Sequence, residues 1–286
     1  MDSGNTVHTD KNYRSEIKPM KKQISRLNSK KRAAIPMGVG VALGIALGAA
    51  LGNITLGLAI GIVLGGVGTL WRKDLPMKTN RILFETIIIT VIMLTGMLLI
   101  PRVKPLFALL PVAYLLIERP LRKRTWGDLG FNGRTFWTAL RADWVLFVFL
   151  GFVVQPVTVL WAKAYFPEFL AHIQARLPFE SGINWGILLP LLAFSLIGEE
   201  MTYRTLIQGR LALFVGTPAA IAIASLLFGL AHFAPGPGIV VFTDVALIVI
   251  SSVLYGILFA RHNNLWVVWL AHFLGDIFGL VVLFLV

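Results

Sequence analysis

Residues 191–204 read Leu-Leu-Ala-Phe-Ser-Leu-Ile-Gly-Glu-Glu-Met-Thr-Tyr-Arg, an apolar run that is interrupted by two adjacent acids, Glu199 and Glu200. An ionisable residue at bilayer depth is costly, so it marks a candidate functional site. Glu200 and Arg204 have the i,i+4 spacing of an ion pair on one helix face. Glu199 is rotated by about 100° from Glu200 and does not need the same partner. The stretch therefore predicts one acid that is neutralised and one that is available for chemistry.

The composition around this stretch is that of a membrane protein. The chain is 57% hydrophobic and 14% charged, whereas soluble domains are about 25% charged. We expect an all-α, polytopic transmembrane helix bundle with catalytic residues inside the membrane. The chain has no cysteine, which excludes disulfides, thiolate nucleophiles and iron–sulfur clusters.

Apolar segments organise the chain into three parts. We expect a basic cytoplasmic segment at 1–32, a glycine-repeat transmembrane hairpin at 33–71 and a core at 80–286. A membrane span needs about 20 residues, so the short segment at 105–117 is predicted to be tilted or partial. The apolar segments run at 33–50, 54–70, 82–100, 105–117, 144–161, 184–208, 218–233, 239–260 and 265–286.

Basic residues predict the orientation of the chain. Residues 1–32 hold nine Lys and Arg against three acids, which places the N-terminus in the cytoplasm and next to anionic lipid. Alternation of the spans puts the basic clusters at 72–81 and 119–124 on the same side, while Arg102 and Lys104 fall on the outer side. We expect an integral membrane protein that binds no nucleic acid.

Glycines recur every four residues in the hairpin, a spacing that lets two helices approach closely. Either the two hairpin helices pack on each other, or copies of the chain self-associate through this face. The glycines are Gly40, Gly44, Gly48, Gly57, Gly61 and Gly65.

Two later segments carry histidines. His232 is followed by Phe-Ala-Pro-Gly-Pro-Gly, which ends a helix. His272 and Asp276 are i,i+4 on one face, so Asp276 is predicted to orient His272 by a hydrogen bond. Asp244 closely follows the Pro-Gly turn, and we expect an interfacial or helix-start role for it rather than catalysis. A single membrane histidine is more often a packing residue than a catalyst, but acids and histidines on three helices together predict a site.

The three motifs resemble those of a known family. Glu199-Glu200-x-x-x-Arg204, then Phe228-x-x-x-His232, then His272-x-x-x-Asp276 are similar in order, spacing and membrane setting to the motifs of the CPBP intramembrane proteases. That family includes CAAX prenyl endopeptidases and proteins related to bacteriocin self-immunity. The segment Trp126-Gly-Asp-Leu-Gly-Phe131 is also similar to one found before the core in bacterial members.

The resemblance implies an intramembrane endopeptidase of a bacterial plasma membrane, acting on a peptide or a prenylated protein. It assigns activation of a water molecule to Glu199 and His232, and places His272 and Asp276 at the developing oxyanion. The supporting residues that it implies are Glu200, Arg204 and Phe228.

Several alternatives stay open at the level of sequence. The family often has Asn where this chain has Asp276, so this acid is protonated, orients His272 or binds a cation. No cofactor is expected, but Glu199, His232 and His272 could instead ligate zinc. A non-enzymatic scaffold or immunity factor with the same fold, or an ion-coupled transporter, are the other functions. Helix lengths place Glu199 and His232 at different depths, which a cavity open to the cytoplasm would reconcile.

Overall fold

A computed structural model of the chain describes residues 77–177 and 184–286, together with eight helical positions between 42 and 61. The predicted basic segment 1–32 and most of the hairpin 33–71 lie outside the described residues. Of the described residues, 88% are helical and none is in a strand. The predicted all-α membrane bundle is confirmed.

The helices of the core follow one another with short connections. Two π-helical segments, Phe149–Val154 and Met201–Gln208, join α4 to α5 and α7 to α8 without a break. The helices are α1 (Met77–Leu99), α2 (Lys104–Leu121), α3 (Phe136–Ala142), α4 (Trp144–Val148), α5 (Gln155–Tyr165), α6 (Pro167–Ala175), α7 (Trp185–Glu200), α8 (Gly209–Val215), α9 (Thr217–Ala231), α10 (Gly238–His262) and α11 (Leu265–Leu285).

Five helical runs among the described residues are long and apolar enough to cross a membrane, so the chain is an integral membrane protein. The helix α2, which contains Pro111 and Pro120, is not one of them, in line with the partial span that the sequence predicts. The five runs are Arg81–Leu99, Trp144–Tyr165, Trp185–Val215, Gly238–His262 and Leu265–Leu285.

The run Trp185–Val215 is longer than the segment predicted at 184–208. It extends over 31 residues because the polar side chains in its second half find partners inside the protein. The Thr205 hydroxyl donates to the Leu129 carbonyl (2.7 Å), and the Gln208 amide donates to the Gly256 carbonyl (2.8 Å). Polar groups that are satisfied in this way can be carried through a bundle, although they end an apolar pattern in the sequence.

The π segment Met201–Gln208 lies at the centre of the bundle. Its Tyr203 and Ile207 belong to an apolar cluster with α1, α8 and α9. Its Met201 and Leu206 belong to a second cluster with α2, α10 and α11. Glu199 and Glu200, which immediately precede this segment, therefore lie among several helices.

The segment Trp126–Phe131 is part of the core. The Leu129 side chain is fully buried, and the Gly130 carbonyl accepts a 2.7 Å hydrogen bond from the Leu265 amide. Gly130 has φ +91°, and a Cβ there would lie 3.0 Å from the Phe259 ring. The segment ties the π segment to the start of α11, a role that its turn residues alone did not predict.

In the hairpin, described glycines of the two halves are in contact. A Cβ on Gly44 would lie 2.5 Å from the Gly57 carbonyl oxygen and 2.6 Å from the Gly61 Cα. Gly40 and Gly65 lie outside the described residues. Self-association through this face stays a prediction.

Candidate active site

Three helix segments bring the motif residues together. Glu199 and Glu200 are the last residues of α7, His232 follows the last residue of α9, and α11 carries His272 and Asp276. A π-helical turn follows the two acids directly, and π turns inside α-helices are frequent at functional sites. The motifs that are separate in sequence therefore meet in one place.

Glu199 and His232 form a partly exposed pair. The His232 Nε2 and Glu199 Oε2 atoms are 3.9 Å apart, and the side chains are 30% and 27% exposed. The His232 Nδ1 atom lies 2.8 Å from the Phe228 carbonyl oxygen. Because a carbonyl only accepts, Nδ1 must carry a hydrogen, and in the neutral ring Nε2 presents a lone pair towards Glu199. The pair is too far apart for a direct hydrogen bond.

Glu200 and Arg204 form a sealed network with His272. The Arg204 Nε donates to Glu200 Oε2 at 2.9 Å, and the other oxygen of Glu200 lies 2.7 Å from the His272 Nδ1. A second nitrogen of Arg204 donates to the Ser252 hydroxyl at 3.1 Å. The side chains of Arg204 and Glu200 are 0% and 1% exposed. The ion pair predicted from the i,i+4 spacing is present.

The partner of His272 differs from the prediction. His272 Nε2 and Asp276 Oδ1 are 3.9 Å apart, which is too long for the hydrogen bond expected between them. Glu200 holds His272 instead, because it reaches the ring from α7 while Asp276 sits one turn away on α11. The i,i+4 spacing brought the two side chains near each other, but it could not reveal a partner 72 residues away in the sequence.

Aromatic rings pack under the polar groups. The Phe228 ring lies 4.3 Å from the His232 ring and makes an edge contact with Tyr203 at 4.8 Å. Tyr255 stacks on His272 at 4.7 Å. Phe228 thus orients His232 through its ring and its carbonyl, and fills the space between the His232 and Tyr203 rings.

Zinc coordination by Glu199, His232 and His272 is the alternative that the sequence leaves open. Among the described residues, no group of three or more His, Asp or Glu has an arrangement that could hold a metal ion. The Nδ1 atom of His272 is engaged by Glu200, and Glu199 faces His232. Metal dependence is therefore a question for a chelator experiment.

Three residues near the site were not predicted from the sequence. Ser252 and Tyr255 lie on α10, where a pair of serines in an apolar helix was the available signal. Lys104 starts α2, and its Nζ donates to the Ala231 carbonyl at 3.2 Å, next to His232. Burial and the nearby Arg176 guanidinium lower the pKa of Lys104, while Glu199 acts in the opposite direction.

Asp244 is part of a second polar cluster. It lies inside α10, is buried, and forms an ion pair with Arg176, with the His172 Nε2 at 3.5 Å. Both partners belong to α6 or directly follow it. The cluster anchors α6 to α10 and gives His172 a contact that the sequence did not indicate.

Comparison with known proteins supports the resemblance. Residues 181–278 match the family model described as "Rce1-like: Type II CAAX prenyl endopeptidase Rce1-like". The match covers about a third of the chain and includes all three motifs. The resemblance to the CPBP and CAAX protease family is confirmed over this segment. No curated protein and no solved structure matches the chain.

Proposed function

Because residues 181–278 match the model of the Rce1-like family, which is a protease family, we propose that the chain is an intramembrane endopeptidase in which Glu199 and His232 activate a water molecule. The observation that carries this proposal is the 3.9 Å gap between the two side chains. A carboxylate oxygen and an unprotonated ring nitrogen are both acceptors. A water molecule that bridges the two atoms from one side would donate one hydrogen to each and direct its lone pair at a substrate.

The reaction needs one proton to be moved. Glu199 takes a proton from the water as its oxygen bonds to the peptide carbonyl carbon, and returns it to the amide nitrogen when the carbon–nitrogen bond breaks. His232 holds the water and, through the Phe228 carbonyl, keeps its own hydrogen on Nδ1. One peptide bond and one water molecule are consumed, and a carboxylic acid and an amine are formed, the second hydrogen of the water staying on the new acid until it ionises.

The negative charge that develops on the carbonyl oxygen when water adds requires a hydrogen-bond donor. His272 is our candidate, because Glu200 holds the Nδ1 side of its ring and leaves Nε2 free to donate when the ring is protonated. Preorganised donors of this kind are usually a large part of catalysis. Asp276 lies 3.9 Å from Nε2, where a protonated carboxyl group could donate as a second group.

Prenylated CAAX-type peptides are the substrates to test first, because the matching family is described by that activity. The protein is proposed to lie in a bacterial plasma membrane with its N-terminus in the cytoplasm, and to meet lipid and a peptide or prenylated protein there. Self-association through the glycine face of the hairpin, formed by Gly40, Gly44, Gly48, Gly57, Gly61 and Gly65, remains part of the proposal. No cofactor is assigned, and zinc is tested by chelation.

The test is cleavage of a prenylated CAAX reporter by the purified protein in detergent, with and without a chelator. Glu199→Gln is the inactive variant, and Glu168→Gln, the same change at an exposed acid of α6, is the matched control. We expect cleavage by the wild type and the control only. Equal cleavage by Glu199→Gln would remove Glu199 from the mechanism. An inert wild type would favour another peptide substrate or the non-enzymatic scaffold.

A further inference from the structure

Lys104 is a cation next to the candidate active site that has no counter-ion in the described part of the chain. It is half-buried at the first position of α2, and no described carboxylate lies at ion-pair distance from its Nζ atom. The buried and half-buried arginines of the described ranges differ, because each has an acid or an aromatic ring as a partner. These pairs are Arg122 and Arg124 with Glu118, Arg204 with Glu200, Arg210 with Glu118, and Arg119 over the Trp126 ring. A cation that is partly removed from water without such a partner is a candidate for binding an anionic ligand.

The ammonium group of Lys104 is held at the end of α9. Its Nζ atom donates to the Ala231 carbonyl at 3.2 Å, and Ala231 directly precedes His232. The first turn of α2 is fixed by the Phe107 ring, which fills the space next to Gly96 on α1, where a Cβ would lie 2.2 Å from the ring. The position of the cation next to His232 is therefore set by packing.

Lys104 retains hydrogen-bond donors for a further partner. An ammonium group has three hydrogens, and the Ala231 carbonyl is its one acceptor among the described residues. Burial and the Arg176 guanidinium lower the pKa of Lys104, and the Glu199 carboxylate raises it, so both charges act on the same place. The nearby acid Asp244 is engaged by Arg176. An additional carboxylate at this place would be attracted by two cations and would receive hydrogen bonds from Lys104.

The distance from Lys104 to the water-activating pair suits a short peptide. Three covalent bonds join the Ala231 carbonyl oxygen to the His232 Cα atom, so the Lys104 Nζ lies within roughly 12 Å of the His232 Nε2 atom. An extended peptide spans about 3.3–3.6 Å per residue, and three residues span about 10–11 Å. A peptide whose scissile carbonyl lies at the water held by His232 can thus place a carboxylate, two or three residues later, on Lys104.

We propose that Lys104 binds the C-terminal carboxylate of the peptide substrate, so that cleavage occurs two or three residues before the end of the chain. This assignment rests on the proposed endopeptidase function, and it adds the substrate class, which is peptides with a free carboxylate close to the scissile bond. The CAAX-type peptides chosen as first substrates belong to this class, because three residues follow their prenylated cysteine. A peptide bond far from a C-terminus would lack this contact.

A purely structural role for Lys104 makes a different prediction. The carbonyls at the end of a helix carry partial negative charge, and a lysine there stabilises the helix. If Lys104 only stabilised the end of α9, its removal would disturb His232 in the same way for every substrate. A carboxylate contact affects only peptides that end in a free acid. Comparing an acid with its C-terminal amide therefore separates the two roles.

The experiment measures the affinity of the purified, inactive Glu199→Gln protein for a fluorescent prenylated CAAX-type peptide and for its C-terminal amide. Fluorescence anisotropy in an uncharged detergent near neutral pH gives the two dissociation constants. We expect the acid to bind about tenfold more tightly than the amide, an effect typical of a hydrogen bond to a charged group. Adding Lys104→Met should weaken binding of the acid to the level of the amide. Adding Lys163→Met, at an exposed lysine of α5, should preserve the preference, and Lys104→Arg should preserve part of it.

Several results would overturn the assignment. Equal affinities for the acid and the amide with Lys104 intact, or no binding of either peptide, would show that the carboxylate contact does not exist. A preference that survives Lys104→Met would assign the carboxylate to another cation. Equal losses for the acid and the amide in Lys104→Met would leave Lys104 only its contact with the end of α9.

These measurements do not depend on catalysis. A wild type that cleaves no reporter would refute the proposed function, while the binding data would still decide the role of Lys104. With an active protein, the preference for the acid should appear in KM rather than in kcat.

Discussion

Glu199 and Glu200 are neighbours in the chain, yet they lie in opposite environments. Glu199 is partly exposed and faces His232 across a gap, while Glu200 is sealed and uses both oxygens to bind Arg204 and His272. A helix rotates successive side chains by about 100°, so adjacent positions can face different neighbours. One carboxylate is left available for a reaction, and the other holds the site together.

The two acids also differ in how the energetic cost of burying their charge is offset. Burying a charge is expensive, and a buried pair is tolerated when each charge has a partner and its remaining hydrogen bonds are made. Glu200 meets this condition with a guanidinium and an imidazole. Glu199 has neither at hydrogen-bonding distance, and an acid left in that state inside a membrane protein is expected to have a function.

The largest effect is expected from Glu199→Gln. This change keeps the side-chain volume and removes the base, so cleavage should fall about 10²–10⁴-fold, with an unchanged melting temperature. His232→Ala should cause a loss of the same order. The measurement is the rate of reporter cleavage beside thermal unfolding in detergent, with Glu168→Gln as the control. A fall in melting temperature that accounts for the lost activity would assign Glu199 to the structure.

Arg204→Ala should act on Glu200, the buried acid, and should lower the stability of the protein. It leaves the buried Glu200 without its cation, which costs about 3–5 kcal/mol of stability, and the melting temperature should drop accordingly. Arg81 provides a matched control, because it pairs with Glu85 at the same i,i+4 spacing and the same 2.8–2.9 Å range but is 78% exposed. Arg81→Ala should cost less than about 1 kcal/mol. Equal losses in the two variants would contradict the role of burial.

Spacing within one helix predicted the local part of this site. The Glu200–Arg204 pair follows from i,i+4 geometry, and the meeting of three motifs follows from their resemblance to a family. The partner of His272 could not be predicted in this way, because it depends on how α7 and α11 pack. The same holds for Ser252 and Lys104, whose contacts join residues that are far apart in the sequence.

The bounds of the helices also depend on contacts between residues that are far apart in the sequence. Apolar segments located the spans, but the helix end at Val215 depends on polar residues that are satisfied by the loop at Leu129 and by Gly256. Hydropathy treats such residues as the end of a span. The relative depth of Glu199 and His232 therefore depends on packing around the π segment, which hydropathy does not report.

Asp276→Asn should have a smaller effect than either change above. Asp276 makes no hydrogen bond with His272, so its amide should preserve the position of the ring, and we expect activity within about tenfold of the wild type. Glu200→Gln should reduce activity more, because it weakens the 2.7 Å contact that orients His272. The two variants are compared by kcat and KM on the same reporter. Complete loss of activity in Asp276→Asn alone would make the charge of Asp276 essential.

The smallest effect is expected at Lys104, and it depends on pH. Burial lowers the pKa of Lys104 from its ordinary value of 10.5, so the folded chain releases this proton at a lower pH than the unfolded chain. Between the lowered pKa and 10.5 the unfolded chain holds more protons, and stability rises with pH. The melting temperature of the wild type minus that of Lys104→Met should therefore increase as the pH is raised towards 10.5. Lys163→Met, at an exposed lysine of α5, is the control, and a difference that decreases over this range would place Lys104 outside the buried contact with Ala231.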